Sequence, residues 1–162
     1  MKQMTLFDTS LPPEPAPRKP ASYDCQLIAR IPMVSEATGP QMRSARDLAD
    51  YCSDVRNLSR ESFHVITLDQ KNRAIDRHLV SIGTLTGAPV HPREAYRAAL
   101  LDSAAAVAFV HNHPSGCPEP SRDDREITAR LVEAGRLLGV RVLDHVILGS
   151  QGHFSFVEEG LM

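Results

Sequence analysis

The sequence predicts an α/β domain, and three observations carry the prediction. The run Ala104-Ala105-Ala106-Val107-Ala108-Phe109-Val110 is short and wholly apolar, as a buried strand ending at His111 would be. The segment after Ser121 places Ile127, Leu131, Ala134 and Leu138 on one helical stripe. Between them lies a loop rich in proline and glycine. Strand, loop and helix in this order make one α/β unit, and strand ends in such units are where functional sites collect.

The other elements follow in chain order. Residues 1–21 are expected to form a disordered, Pro-rich leader, because Leu11 to Pro20 holds five prolines, which fix φ and lack a donor. The leader reads as a linker rather than a docking peptide. The domain is expected over 22–162. Tyr23 to Val34 alternates loosely and predicts an edge strand stopped near Pro32. Ser44 reads as an N-cap with Asp47 at the capping-box position, and Leu48, Cys52 and Val55 share the buried face of the helix that follows. Glu61 to Asp69 predicts a strand, Gln70 to Arg73 its turn, and Ala74 to Ile82 the returning strand. Gly83 to Val90 is a loop, and Pro92 to Asp102 a helix whose small residues allow close packing. Gly135 and Gly139 mark the end of the helix after Ser121. Val140 to Leu148 is a strand, Gly149 to Gly152 a hairpin turn, and His153 to Val157 the last strand.

Composition bounds the function. The chain has 162 residues, 42% hydrophobic and 23% charged, ordinary values for a globular domain with a real core. A net charge of −2 does not call for a nucleic-acid or anionic-membrane partner. No apolar run is long enough for a bilayer and no signal peptide precedes the domain, so the expected location is cytoplasmic. Cys25, Cys52 and Cys117 have no paired spacing and read as reduced thiols. There are no internal repeats and no phosphate-binding glycine loop.

The chemistry is concentrated in His111-Asn112-His113-Pro114-Ser115-Gly116-Cys117-Pro118-Glu119-Pro120-Ser121-Arg122-Asp123-Asp124. In an extended segment side chains alternate, so His111 and His113 point to the same side. The stiff, turned loop after them can return Asp124 to the same point. Two histidines and a carboxylate are a normal ligand set for a catalytic zinc ion (Zn2+), with the fourth position left for water. Ser121 and Asp124 also read as a capping box, which needs no catalytic meaning. Cys117 is either a fourth ligand or, the favoured reading, a small loop residue. Asp144 and His145 interrupt the apolar run of their strand. They either orient a ligand imidazole or form an internally satisfied polar pair.

The pattern H-x-H, seven residues, S-x-x-D resembles the JAMM (MPN-plus) metalloprotease motif. The wider context is Gly83-Thr84-Leu85, His91-Pro92-Arg93-Glu94, His111 to Gly116, Pro120-Ser121, Leu143-Asp144-His145 and Phe154-Ser155-Phe156, and it resembles the RadC branch of that family. The resemblance covers about Glu61 to Met162. It implies a three-layer mixed sheet flanked by helices, of the cytidine-deaminase-like type, and a zinc bound by His111, His113 and Asp124. Many members carry Ser or Thr between the histidines; here it is Asn112, as in RadC-type sequences. Full-length members carry a helical N-terminal domain similar to helix-hairpin-helix units, for which these 162 residues are expected to have no room. The resemblance also places a catalytic glutamate on an early strand upstream of H-x-H, and Glu61 fits. Glu94, in the first turn of its helix, is the rival, although an acid there also simply complements the helix dipole.

The leading expectation is therefore a zinc-dependent hydrolase of amide bonds, a peptidase or isopeptidase acting on an unidentified protein or peptide. Glu61 would act as base, and Ser121 would donate to the oxyanion while its lone pairs cap the helix. The second is a binding module in DNA repair or recombination with a structural or vestigial metal; the RadC label motivates it and the charge argues against it. Nucleobase deamination needs H-x-E with P-C-x-x-C, and ordinary zincins need H-E-x-x-H; both patterns are absent.

Overall fold

Among the described residues five strands form one mixed sheet in the order β2-β1-β3-β4-β5. The structure is a computed structural model that describes residues 37–83, 90–150 and 152–162. The expected leader, the strand expected at Tyr23 to Val34 and most of the Gly83 to Val90 loop lie outside the described residues.

In chain order the elements are α1 (Ala45–Tyr51), a 3₁₀ turn (Ser53–Val55), β1 (Ser62–Leu68), β2 (Ala74–Ile82), α2 (Pro92–Leu101), β3 (Ala106–Asn112), α3 (Arg122–Leu138), β4 (Arg141–Gly149) and β5 (Gly152–Ser155). Strand β1 pairs antiparallel with β2 and β3, β3 pairs parallel with β4, and β4 pairs antiparallel with β5. The single parallel pair is the β3-α3-β4 crossover. Every residue of β1 and β3 is buried, as continuous apolar runs in the middle of a covered sheet should be.

The sheet is covered on both faces, so the domain has the expected three layers. On one face α1 and the 3₁₀ turn bury Ala45, Leu48, Cys52 and Val55 against Ile66, Leu68, Ala106, Ala108 and Val110. On the other, α2 and α3 bury Ala95, Tyr96, Ala99 and Leu131 against Phe63, Val65, Val107 and Phe109. The even-numbered residues of β3 thus face α1 and the odd-numbered ones face α2 and α3, and this alternation carries through to the histidines at the strand's end. Capping chemistry sets the helix starts. Ser44 and Asp47 form the expected box on α1, an arrangement contributing about 1 kcal/mol. Gly139, with φ of 71°, ends α3 in the left-handed region.

Several bounds differ from those the sequence predicts. Strand β3 runs on through Asn112 and β1 starts one residue after Glu61. Strand β5 stops at Ser155, because the chain turns there, the Glu159 N–H donating to the Ser155 carbonyl at 3.2 Å, while the Phe156 N–H still donates to the His145 carbonyl opposite at 3.0 Å. The stripe on α3 also differs. Its buried residues are Asp124, Thr128, Leu131 and Gly135, while Leu138 is exposed. Two polar residues occupy that stripe because its first turns pack beside the histidines rather than the apolar core.

Candidate metal centre

The site lies at the C-terminal end of β3, on the α2/α3 face. Alternation puts His111 and His113 on that face and Asn112 on the other. His111 is fully buried, stacked on Phe63 with centroids 5.7 Å apart. His113 sits at the opening. Asp124 is the third residue of α3, so the N-terminus of that helix delivers the carboxylate to the strand end. The loop between is held by its backbone. Gly116, at φ of 84°, donates its N–H to the His113 carbonyl at 2.9 Å and accepts from the Ser150 N–H at 3.0 Å. A side chain at Gly149 would run into the Gly116 carbonyl and Pro118, so the β4–β5 turn and the loop pack backbone to backbone.

Three side chains converge. The Nε2 atoms of His111 and His113 are 3.1 Å apart. Asp124 Oδ1 is 3.2 Å from His111 Nε2, and Oδ2 is 3.4 Å from His113 Nε2. Among the described residues these are the one group of three or more such side chains placed to share an ion. Donors about 2.0–2.1 Å from a tetrahedral zinc lie about 3.3 Å from one another. The His111 Nε2–His113 Nε2 and His111 Nε2–Asp124 Oδ1 separations match that edge, and one ligand atom from each of the three residues lies within 4.8 Å of the others.

Hydrogen bonds fix which ring nitrogens face inward. His113 Nδ1 is 2.9 Å from the Cys117 carbonyl, which only accepts, so Nδ1 carries the proton and Nε2 faces the site. His111 Nδ1 lies 2.9 Å from His145 Nε2. Asp124 Oδ2 accepts from the Ser121 N–H at 2.7 Å and from its hydroxyl at 2.6 Å, while Ser121 Oγ accepts from the Asp124 N–H at 3.1 Å. The capping box and the ligand reading are therefore one arrangement: Oδ2 serves the cap and Oδ1 is left for the site. Two imidazole nitrogens and a carboxylate aimed at one point repel unless a cation lies between them. Without metal that cation is a proton. Its hydrogen bond to Asp124 raises the pKa of His113 against the opposing effect of burial. Burial alone would raise Asp124, but the two imidazole rings outweigh it and hold the carboxyl well below the usual range. The donor set fits a divalent metal with nitrogen and oxygen preference, which would replace the proton.

Glu61 adjoins this cluster. Phe63 with His111 is the last pair of the antiparallel β1–β3 ladder, and Glu61 and His113 each lie two residues beyond it, past the ends of their strands. The charge of Glu61 contributes to raising His113. The backbone on both sides of Glu61 is held by Asn112, a residue the motif marks without explaining. Its Oδ1 accepts from the Ser62 N–H and hydroxyl, both at 2.9 Å, and its Nδ2 donates to the carbonyls of Leu58 at 3.2 Å and Arg60 at 3.1 Å. Glu94 is ion-paired with Arg93 at 3.1 Å and lines a surface hollow with Arg97, Leu100 and Leu101.

Residues 42–161 match the family model described as the RadC-like JAB domain. The chain belongs to that family. It is 58% identical over 144 residues to a UPF0758 protein of Symbiobacterium thermophilum, with 85% of this chain and 62% of that protein covered. It is 53% identical over 109 residues to one from Trichlorobacter lovleyi, covering 67% of this chain and 47% of the relative. A third, from Rubrobacter xylanophilus, is 51% identical over 138 residues, 85% of this chain and 60% of the relative. The chain thus spans about half to three-fifths of the length of these relatives.

Within this RadC-like domain the two polar residues of β4 divide the roles that the sequence left open. His145 reaches His111. Asp144 does not: its carboxylate accepts from the His145 N–H at 2.7 Å, the Ser155 hydroxyl at 2.6 Å and the Val157 N–H at 3.1 Å, tying β4 to the chain after β5. Burial pushes the pKa of Asp144 up and that of His145 well down. Cys117 serves the site through its carbonyl; its thiol is exposed and is not part of the converging group. No helix of the described residues is long and apolar enough to cross a membrane.

Proposed function

We propose that this RadC-like JAB domain is a zinc-dependent hydrolase of amide bonds, a peptidase or isopeptidase. The observation that supports it most is the convergence of two Nε2 atoms and one carboxylate, with a glutamate, Glu61, near enough for its charge to act on His113. His111, His113 and Asp124 would hold the metal. Bound there, zinc would polarise the scissile carbonyl and acidify water. Glu61 takes the proton of the attacking water and delivers it to the departing amine. Ser121 stands beside Asp124, and its single proton goes to Oδ2 in the structure. Donation to a developing oxyanion therefore needs its hydroxyl to rotate toward the opening. The charge of Glu61 acts on His113 while Glu94 is paired with Arg93, which favours Glu61 over Glu94 as the base. The free thiols of Cys52 and Cys117 suit a reducing compartment such as the cytoplasm.

The test has two stages. The purified protein should contain about one zinc per chain, and His113→Ala should lose most of it; unchanged zinc in that variant removes the ligand assignment. Against a panel of unstructured proteins and isopeptide-linked conjugates, Glu61→Gln should keep its zinc and lose roughly 10²–10⁴-fold in rate. A Glu61→Gln protein that cleaves as fast as the parent refutes the mechanism. A zinc-bound parent that cleaves nothing and binds DNA with steep salt dependence supports the DNA-repair module instead.

A further inference from the structure

We infer that the hydroxyl of Thr128 is a positioning group for the metal centre: acting through His145, it sets which nitrogen of His111 faces the ion. The inference rests on the metal reading and concerns residues that reading does not use.

One group in the chain of contacts cannot change role. The Asp124 carbonyl can only accept, and Thr128 Oγ1 lies 2.5 Å from it. Two oxygens at that separation need a proton between them, and the hydroxyl has only one. Thr128 therefore donates to the Asp124 carbonyl and must accept on its other side. On that side is His145 Nδ1, 2.6 Å away, so His145 carries its proton on Nδ1. His145 is fully buried, its two ring nitrogens meet only Thr128 and His111, and among the described residues no carboxylate hydrogen-bonds to the ring, Asp144 reaching only the backbone N–H. A second proton on this ring would be a buried charge without a counter-ion. Its Nε2 is therefore a lone pair, and at 2.9 Å it accepts from His111 Nδ1. His111 is left to present Nε2 to the site.

His113 needs no such device, because its partner is itself a backbone carbonyl. His111 does need one. A histidine partner can donate as easily as accept, and the wrong tautomer of His145 would place a proton against His111 Nδ1. His111 would then carry its own proton on Nε2, where a metal belongs. Thr128 removes that ambiguity. The chain of bonds also closes on itself, since the carbonyl on which it ends belongs to the ligand Asp124. Position 128 lies one helical turn after 124, on the same buried stripe of α3.

The experiment uses the full chain with zinc alone as ligand. Zinc affinity is measured by competition with a chelator for the parent, Thr128→Val and Thr128→Ser. Valine has the shape of threonine without the hydroxyl; serine keeps it. Thr128→Val should bind zinc roughly 10–100-fold more weakly and Thr128→Ser nearly as well as the parent, the range expected for a group that orients a ligand histidine. Nitrogen NMR of the imidazole rings gives a readout that packing alone would not move. In the parent, His145 and His111 should both carry the proton on Nδ1, and in Thr128→Val the ring of His145 should populate the other tautomer. A folded Thr128→Val protein with parental zinc affinity overturns the inference. So does a parent in which His145 is protonated on Nε2, a result that needs no variant to fold. A parent that binds no zinc defeats the metal reading itself and is told apart from both.

Discussion

Asn112→Ala offers a direct test of how the ladder end is held. The amide makes four hydrogen bonds and faces the α1 layer, away from His111 and His113. Truncation does not affect its four partners equally. Leu58 and Arg60 are exposed, so water can reach their carbonyls at little cost. The Ser62 hydroxyl keeps its contact with His64 Nε2 at 3.2 Å. The Ser62 N–H is the serious loss, because Ser62 is 2% exposed and its N–H has no other acceptor at hand. An orphaned buried donor costs about 1–3 kcal/mol, and losing the two donated bonds adds about 1 kcal/mol. The expected destabilisation is about 2–4 kcal/mol, or roughly 10 °C in melting midpoint at this size. Urea unfolding of zinc-free parent and variant measures it. Zinc binding should survive in the folded variant. Under the proposed mechanism hydrolysis should fall, because Glu61 lies between Arg60 and Ser62, the two residues the amide secures. A destabilisation below about 0.5 kcal/mol, or loss of zinc from a folded variant, refutes this account of the clamp.

Other expectations are read from single contacts. His64 is buried and its pKa is lowered, by burial first and by the Arg77 charge second. Below about pH 6.5 the unfolded chain takes up a proton on this ring that the folded chain resists, so the group destabilises the fold as pH falls. In zinc-free protein His64→Gln should remove that dependence, at most about 1.4 kcal/mol per pH unit, and urea midpoints that stay parallel from neutral to acid pH would contradict it. Gly149→Ala forces a methyl against Gly116 and Pro118, so it should cost about 1–3 kcal/mol and loosen the loop that carries the Cys117 carbonyl. Chelator competition should show weaker zinc binding, and unchanged affinity and stability would mean that the loop yields freely.

What was legible in the sequence is what alternation and local spacing decide. Two-residue periodicity placed His111 and His113 together, and capping chemistry located the starts of α1 and α3. What was not legible depends on register between distant segments. The roles of Asp144 and His145 stayed open because only the parallel ladder, with Phe109 opposite His145, shows that this ring lies beside His111. Glu61 could be placed near the site by resemblance, but that it lies just past the same ladder end as His113 needs the pairing of Phe63 with His111. The stripe on α3 was misread at Leu138 for a related reason. Hydrophobicity marks the face toward an apolar core, and the first turns of α3 face a polar centre, so Asp124 and Thr128 occupy the buried positions.

The anchoring of the three proposed ligands explains why the sequence between the histidines and α3 is so dense in special residues. Each ligand is held by backbone, directly or through a chain that ends on backbone: His113 by the Cys117 carbonyl, Asp124 by the Ser121 N–H, and His111 through His145 and Thr128 to the Asp124 carbonyl. Apart from His145, all of these groups lie between His111 and Thr128. Strand end, loop and first helical turns therefore form one preorganised unit, and the loop must be stiff because its carbonyls and N–H groups do the holding. Glu61 stands just before β1, and its neighbours Arg60 and Ser62 are held by another residue, Asn112, on the opposite face of the sheet. The proposed ligand set and the proposed base thus have separate supports. Variants of Thr128 should act on metal affinity, variants of Asn112 on the placement of Glu61, and the two effects should add when combined, since they share no partner.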